Sequence, residues 1–479
     1  MNKPLILAID QGTFSTRSFL YNQEGQVIAS AAKKVALKTT ASNQVEQDPN
    51  EILHSMQEVL NTVLSGSLQS PSDIACAGLA TQRSSVLAWS RTDGTPLTPV
   101  LSWQDRRGSG WLESKAKQFQ KVTELSGLPL SPHYGASKLN WILQNSRKAR
   151  IAAKNGDLVI GPLGSFLLYH LLEEHPNSID QVNASRTQLC DIHTGDWSAE
   201  LGKLFEVPLE LLPQIKPVCS TYGNLTQTRI PLTAVNGDQN AALFALGKPS
   251  QGTAFINLGT GAFILSPVGT VPTIHPPLVS SIASGNSSQR NYTLEGTVNG
   301  SGLALEWAIQ KWDVKRALEQ IPAWLSQKGK VPIFINTLGG LGSPYWAPEA
   351  QPLLIGEGDK GQKIVAVLES ILFLLQINLE ILETVTPPIK QLQISGGLSH
   401  FDGVCQRLAD LSQRTVYRPA SVEATARGIA WLASSSPKYW PKPGRGKRFY
   451  PSDNPELQGR FLYFQRELEK QLQRESMLI

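Results

Sequence analysis

Leu5-Ile6-Leu7-Ala8-Ile9-Asp10-Gln11-Gly12-Thr13-Phe14-Ser15-Thr16-Arg17 runs from an apolar stretch through an aspartate into a glycine turn crowded with hydroxyls. A short, continuous apolar run predicts a buried strand over Leu5 to Ile9, and Gly12 marks a polar turn. A second strand over Ser18 to Tyr21, a turn at Gly25 and a third strand over Gln26 to Ser30 complete a β-meander. The unit recurs far along the chain: Thr253 to Leu258 is strand-like, Gly259-Thr260-Gly261 is a turn, and Ala262 to Leu265 is strand-like again. Two like halves follow from this repeat, each opening strand, Gly/Thr turn, strand.

The intervening sequence predicts mixed α/β structure. Pro49 to Leu64 and Ser137 to Asn145 carry helical apolar spacing, while Ala75 to Thr81 and Ser85 to Trp89 read as strands. In the second half, Gln362 to Thr384 is the strongest helix, followed by a strand over Leu392 to Ser395, a Gly396-Gly397 turn and a helix from Asp402 to Gln413. The division expected is residues 1–245 and 246–436 as two lobes, then 437–479 as a basic linker and an amphipathic helix. That helix places Leu457, Phe461, Phe464, Leu468 and Leu472 on one face, for packing against the body.

At 479 residues the chain exceeds what one core usually serves, and 41% hydrophobic with 17% charged residues is the composition of a globular enzyme. The net charge of +5 traces to Lys438, Lys442, Arg445, Lys447 and Arg448, so a solvated connector accounts for it and no nucleic-acid partner is expected. The apolar stretch Ile364 to Leu382 is interrupted by Glu369, Gln376, Asn378 and Glu380, so no membrane span or membrane partner is expected either. Leu5 to Ile9 is too short for a signal-peptide core. Cys76, Cys190, Cys219 and Cys405 form no CxxC pair, which points away from zinc and from a disulfide framework and towards a reducing cytoplasm.

Two segments carry chemistry. In the Asp10 loop, backbone N–H groups and hydroxyls can approach phosphate oxygens while the carboxylate serves a metal ion through water. The same loop can be a tight hairpin whose Thr and Ser satisfy the turn. It is not a GxxxxGK[ST] phosphate loop. In Val235-Asn236-Gly237-Asp238-Gln239-Asn240, the aspartate precedes an alanine-rich helix and can be either a helix cap or the base that takes a proton from a hydroxyl nucleophile.

These segments, with Thr81-Gln82-Arg83, Ser102-Trp103-Gln104-Asp105-Arg106-Arg107, Asn183-Ala184-Ser185-Arg186-Thr187, Gly259-Thr260-Gly261, Leu294-Glu295-Gly296, Gly340 to Trp346 and Ser395-Gly396-Gly397, follow in order the motifs of the FGGY carbohydrate kinases. The resemblance spans about residues 4–435 and is near to the glycerol kinases. It implies two actin-like (ribonuclease H-like) lobes closing over a cleft that holds ATP, Mg²⁺ and a small polyol or sugar. By motif, Asp238 resembles the catalytic base and Asp10 the carboxylate serving the metal. Thr13, Phe14, Ser15 and Arg17 fall on the phosphate side, and Thr260, Gly302 and Gly397 where the second lobe contacts nucleotide. Arg83, Asp238, Gln239, Trp103 and Phe263 match the polyol pocket. Ser84 stands where glycerol kinases have a glutamate and His133 where they have a tyrosine, so the resemblance implies glycerol first, with a ketopentose or tetritol as the alternative. An actin-like ATP switch without kinase activity is the alternative of another class, and homo-oligomerisation is left open.

Overall fold

The computed structural model describes residues 4–66, 71–226, 228–250, 252–327, 329–347, 350–420, 423–441 and 444–476. The first half contributes β1 (Leu5–Gln11), β2 (Ser15–Tyr21), β3 (Val27–Lys34), α1 (Pro49–Gly66), β4 (Ile74–Thr81), β5 (Cys219–Asn224) and β6 (Pro231–Gly237). The strands form one sheet in the order β5-β6-β4-β1-β2-β3. The meander β1-β2-β3 is antiparallel, whereas β4 lies parallel to both β1 and β6. Beyond the apolar run, β1 continues through Asp10 and Gln11, which stay in the ladder opposite Arg17 and Thr16. Pro49 starts α1, which lays Ile52, Met56, Val59 and Val63 into the core against β2 and β3.

Helix α2 (Asp238–Ala242) ends the first half, and the second half contributes β7 (Thr253–Leu258), β8 (Ala262–Gly269), β9 (Val279–Gly285), β10 (Arg290–Val298), α3 (Gly302–Lys311), α4 (Lys360–Val385), β11 (Gln391–Ser395), β12 (Thr415–Arg418), α5 (Ala424–Ala433), β13 (Lys447–Phe449) and α6 (Pro455–Ser476). Its sheet runs β9-β10-β8-β7-β11-β12-β13. Here β7, β8 and β10 are antiparallel neighbours, and β11 is parallel to both β7 and β12. The two sheets therefore share one plan: β7, β8, β10, β11 and β12 stand where β1, β2, β3, β4 and β6 stand in the first. The repeat of Gly/Thr turns in the sequence is the local sign of this duplication.

Helix α4 is long and apolar enough to cross a membrane, yet 83% of its most apolar window is buried inside the protein. Asp359 caps it through a reciprocal capping box with Gln362. Its buried Glu369 meets Arg407 at 3.1 Å and Arg460 of α6 at 2.7 Å. Leu457, Phe461, Phe464 and Leu468 of α6 are buried in the same core, with Leu472 partly so. The basic stretch is more than a solvated connector: Lys447–Phe449 adds β13 to the sheet edge beside β12, and Lys447 pairs with Asp402. Arg448 lies 5.1 Å from the Tyr417 ring, so part of the charge read as a linker is used in packing. Lys442 of that stretch lies outside the described residues. All four cysteines are free.

The halves are joined by α5, which follows β12 of the second sheet in sequence but packs on β1, β4 and β6 of the first. Gly428 permits this approach, because a Cβ there would run into the Ala241 carbonyl. Ile6, Ala8 and Phe19 of the first half share an apolar cluster with Phe255, Phe263, Ile429 and Trp431 of the second.

Candidate active site

Parallel strands place their carboxyl ends on one edge, where the loops that follow them converge. In the first sheet Gln11 of β1 and Gly237 of β6 both register with Thr81 of β4. Asp10, Gln82-Arg83 and Asp238-Gln239 therefore emerge side by side. In the second sheet Asn257 of β7 registers with Ser395 of β11, which brings Gly259-Thr260-Gly261 to the facing edge. Between the edges lies a cavity of about 270 Å³ lined by Asp10, Thr13, Phe14, Ser15, Arg17, Arg83, Trp103, His133, Asp238, Gln239, Thr260 and Phe263, among others. Twelve of the residues singled out in the sequence are thus brought together. Gly302 and Gly397 are not among its walls. Gly302 begins α3 and donates its N–H to the Gly259 carbonyl at 2.8 Å, bracing the turn from behind. Gly397 follows Gly396, whose φ of +89° and tight approach to Leu258 fix the loop after β11.

Arg83 is the most connected group in the site. It donates to Asn240 Oδ1 at 2.8 Å, to Glu295 Oε2 at 3.0 Å and to Gln239 Oε1, and its Nε stands 3.8 Å from Asp238. Gly237 makes room for it, since a Cβ there would lie 2.6 Å from the Arg83 side chain. Phe263 covers the guanidinium at 5.7 Å. Asp238 is enclosed except for a quarter of its side chain. Burial raises its pKa, and the nearby Arg83 and the Gln239 N–H, at 2.7 Å, only partly offset this. A carboxylate whose pKa is raised by burial and that still opens to a cleft suits a proton acceptor.

Asp10 is almost fully buried and its pKa is pushed up to about 6 by that burial; Arg17 acts against the shift and Asp238 adds to it. Arg17 spans the lobes, reaching Asp10 at 2.8 Å and Glu423, just before α5, at 2.6 Å. The hydroxyl turn is tied down from outside: Trp103 donates its indole N–H to Thr13 Oγ1 at 2.9 Å, and Gln47 donates to the Thr13 carbonyl at 2.8 Å. His133 packs against Trp103 with ring centroids 5.4 Å apart. Its pKa is well below the usual imidazole value, first through burial and then through Arg106, Lys138, Arg186 and Arg83. It is a neutral wall of the cavity. Ser84, with φ of 65°, turns its hydroxyl to the Arg186 carbonyl at 3.3 Å and so places no charge where it stands.

Sequence reasoning did not identify Glu295, Asn240 or Glu423 as partners of site residues. Glu295 sits in the fully buried stretch Thr293–Val298 of its strand, otherwise apolar and hydroxyl-bearing, and is 1% exposed, a setting that demands a cationic partner. That demand was the available signal. Arg186 pairs with Glu295.

Residues 5–245 match the FGGY family of carbohydrate kinases, N-terminal domain, and residues 254–436 match its C-terminal domain. A glycerol kinase of Natranaerobius thermophilus is 31% identical, over 97% of this chain and 98% of its own length. Among solved structures, Plasmodium falciparum glycerol kinase with ADP is similar with a TM-score of 0.85 at 24% identity, covering 98% of each chain. Ligand-bound xylulose kinase from Lactobacillus acidophilus follows with a TM-score of 0.84 at 21% identity, covering 98% of this chain and 97% of that one. The two-lobed α/β architecture is the actin-like fold of these kinases. The chain belongs to the FGGY family of carbohydrate kinases and is an ATP-dependent polyol or sugar kinase.

Proposed function

We propose that the chain phosphorylates a terminal hydroxyl of a small polyol, glycerol in the first instance, with Asp238 as the base. The observation that carries this reading is the Asp238 carboxylate itself, enclosed, raised in pKa and facing the same cavity as the Asp10 turn and the Thr260 turn. The substrate hydroxyl gives its proton to Asp238 as its oxygen bonds to the terminal phosphorus of ATP, and the bond from that phosphorus to the ADP oxygen breaks. Arg83 and Gln239 orient the polyol, with Trp103, His133 and Phe263 as its walls. Thr13, Phe14, Ser15 and Arg17 on one lobe, and Thr260, Gly302 and Gly397 on the other, hold or brace the nucleotide side. Lobe closure excludes water and keeps ATP from being hydrolysed.

Among the described residues no group of three or more His, Cys, Asp or Glu could cage a metal ion. That fits Mg²⁺ arriving on the nucleotide phosphates, with Asp10 as the buried carboxylate that serves it through water. When bound, the ion neutralises charge on the phosphates.

A longer substrate, a tetritol or ketopentose, is the second reading, and a further chamber of about 90 Å³ bordering His133 and Phe263 favours it. ADP release by the purified chain with Mg-ATP across glycerol, erythritol, ribitol, xylulose and ribulose tests both. Turnover with glycerol supports the first reading, and turnover with the longer acceptors alone moves the substrate. Silence on every acceptor while ATP still binds overturns both substrate readings and points to an acceptor outside this panel or to an ATP switch.

A further inference from the structure

Lys138 is the one buried lysine among the described residues, and the transfer chemistry makes no use of it. It sits on the helix Gly135–Asn145, whose Leu139 and Ile142 lie in an apolar cluster with Val86 and Leu101. The start of that helix is fixed from outside as well: the Gly135 and Ala136 N–H groups donate to the Arg186 and Thr187 carbonyls at 3.4 and 2.7 Å. The amine is thus carried on a firm support and sealed from water.

A fully buried lysine is ordinarily paired with a carboxylate. Lys138 has none within ion-pair distance among the described residues. Asp105, whose charge reaches it, is already engaged: it accepts from Arg107 Nε at 2.9 and 3.0 Å, from Arg107 Nη2 at 2.8 Å and from the Val45 N–H at 2.7 Å. Lys138 Nζ donates instead to two backbone carbonyls, those of Ser102 at 3.2 Å and His133 at 2.7 Å. Burial first, then Arg106, pushes its pKa well below the usual lysine value, and Asp105 opposes this only in part. An amine without its extra proton has two N–H groups, which matches the two carbonyls.

Both carbonyls belong to the wall of the substrate cavity. Ser102 immediately precedes Trp103, and Trp103 and His133 both line the cavity that holds Asp238, their rings 5.4 Å apart. The His133 imidazole makes no hydrogen bond with the protein among the described residues, and its backbone N–H is held only locally, by Ser131 Oγ at 3.2 Å. One nitrogen therefore joins the Trp103 loop to the His133 turn.

We propose that Lys138 is a positioning residue for the acceptor: held between the Ser102 and His133 carbonyls, it keeps the Trp103 and His133 rings together as one wall against the substrate. It acts on acceptor binding, and neither on ATP nor on proton transfer. This rests on the transfer reading above, which makes that cavity the acceptor's.

Lys138→Met fills similar space without donors. On the full chain, with Mg-ATP and the best acceptor, it is expected to raise the acceptor KM at least tenfold while kcat and the KM for ATP stay within threefold. Calorimetry is expected to show the same loss of acceptor affinity and none for ATP. His133→Ala is expected to raise the acceptor KM too, and the double variant to fall short of the product of the two single effects, because the lysine acts through the histidine. Thermal unfolding verifies that the variants fold. Should Lys138→Met not fold, Lys138→Gln, whose amide keeps two N–H groups on a shorter stem, takes its place. If neither folds, the acceptor KM of His133→Ala decides, a tenfold rise sustaining the wall and an unchanged value overturning it. Lowered stability with an unchanged acceptor KM, equal rises in the KM of acceptor and ATP, a fall in kcat alone, or single effects that multiply overturn the proposal. An unchanged acceptor KM in Lys138→Met, with transfer lost in Asp238→Ala, overturns it while sustaining the transfer reading. Silence of all acceptors with Lys138-dependent polyol binding does the reverse.

Discussion

Arg83 and Glu295, 212 residues apart in sequence and carried by different lobes, meet at 3.0 Å in the floor of the cleft. Burial pushes Glu295 up, but Arg186 and Arg83 outweigh it and hold its carboxylate below the usual range. Replacing it by Glu295→Gln leaves two guanidinium groups buried without their anion, which is expected to destabilise the protein by about 3–5 kcal/mol. For a carboxylate with a depressed folded-state pKa the stabilisation is present above the unfolded pKa and lost as pH falls. Urea unfolding of both proteins is therefore expected to show a gap that holds from pH 7.5 down to the ordinary carboxylate value of 4.5 and narrows only as the pH falls below it.

Asp10 presents the opposite sign. Its pKa of about 6 lies above the ordinary 3.8, so keeping it ionised in the fold costs about 3 kcal/mol at neutral pH. The cost is absent below the unfolded value and complete above the folded one. Asp10→Asn, unfolded without nucleotide or divalent cation, is expected to gain stability relative to wild type between pH 4.5 and 7.5 while losing kinase activity. A difference that stays flat or shrinks over that range contradicts the assigned burial of this charge.

The Trp103 N–H on Thr13 Oγ1 pins the turn between β1 and β2. Trp103→Phe keeps the ring but removes the donor, and the hydrogen bond is worth about 0.5–1.5 kcal/mol. A fall of roughly 3- to 10-fold in kcat/KM is expected. Thr13→Val is expected to do the same, and the double variant to be no worse than either alone, because both remove one interaction.

How much of this was legible beforehand depends on the range of the signal. Leu5 to Ile9 and Thr253 to Leu258 announce themselves because a buried strand needs a continuous apolar run, and the glycine turns after them show where the chain reverses. The last residues of β1 did not, since Asp10 and Gln11 are polar and enter the ladder only because the cleft gives them partners. Asp238 and Arg83 could be marked as candidates from local chemistry and motif. Their dependence on Glu295 and Asn240, and the bridge from Arg17 to Glu423, could not, because nothing in a one-dimensional pattern pairs charges hundreds of residues apart. The basic stretch failed differently: charge density outweighed the short β-forming run Lys447–Phe449, which pairs only because β12 offers an open edge.

The terminal helix α6 completes the second lobe. Phe464 is fully buried against Phe373, with ring centroids 5.3 Å apart. Phe464→Ala is expected to cost about 3–5 kcal/mol in chemical unfolding. Ending the chain before Pro455 also strips Arg460 from the buried Glu369 and is expected to yield insoluble or unfolded protein. A truncated chain with wild-type unfolding would show that α6 is only an appendage.

The central claim is that Asp238 accepts the proton of an acceptor hydroxyl during phosphoryl transfer, and phosphorus NMR of a reaction containing Mg-ATP and the best acceptor tests it most directly. Wild type is expected to convert the terminal phosphate signal of ATP into that of a phosphomonoester of the acceptor. Asp238→Ala is expected to bind ATP unchanged yet form this product about 10²- to 10⁴-fold more slowly, the usual share of general-base catalysis. Product formation in the variant at the wild-type rate, or release of inorganic phosphate alone by wild type with every acceptor, would contradict the account.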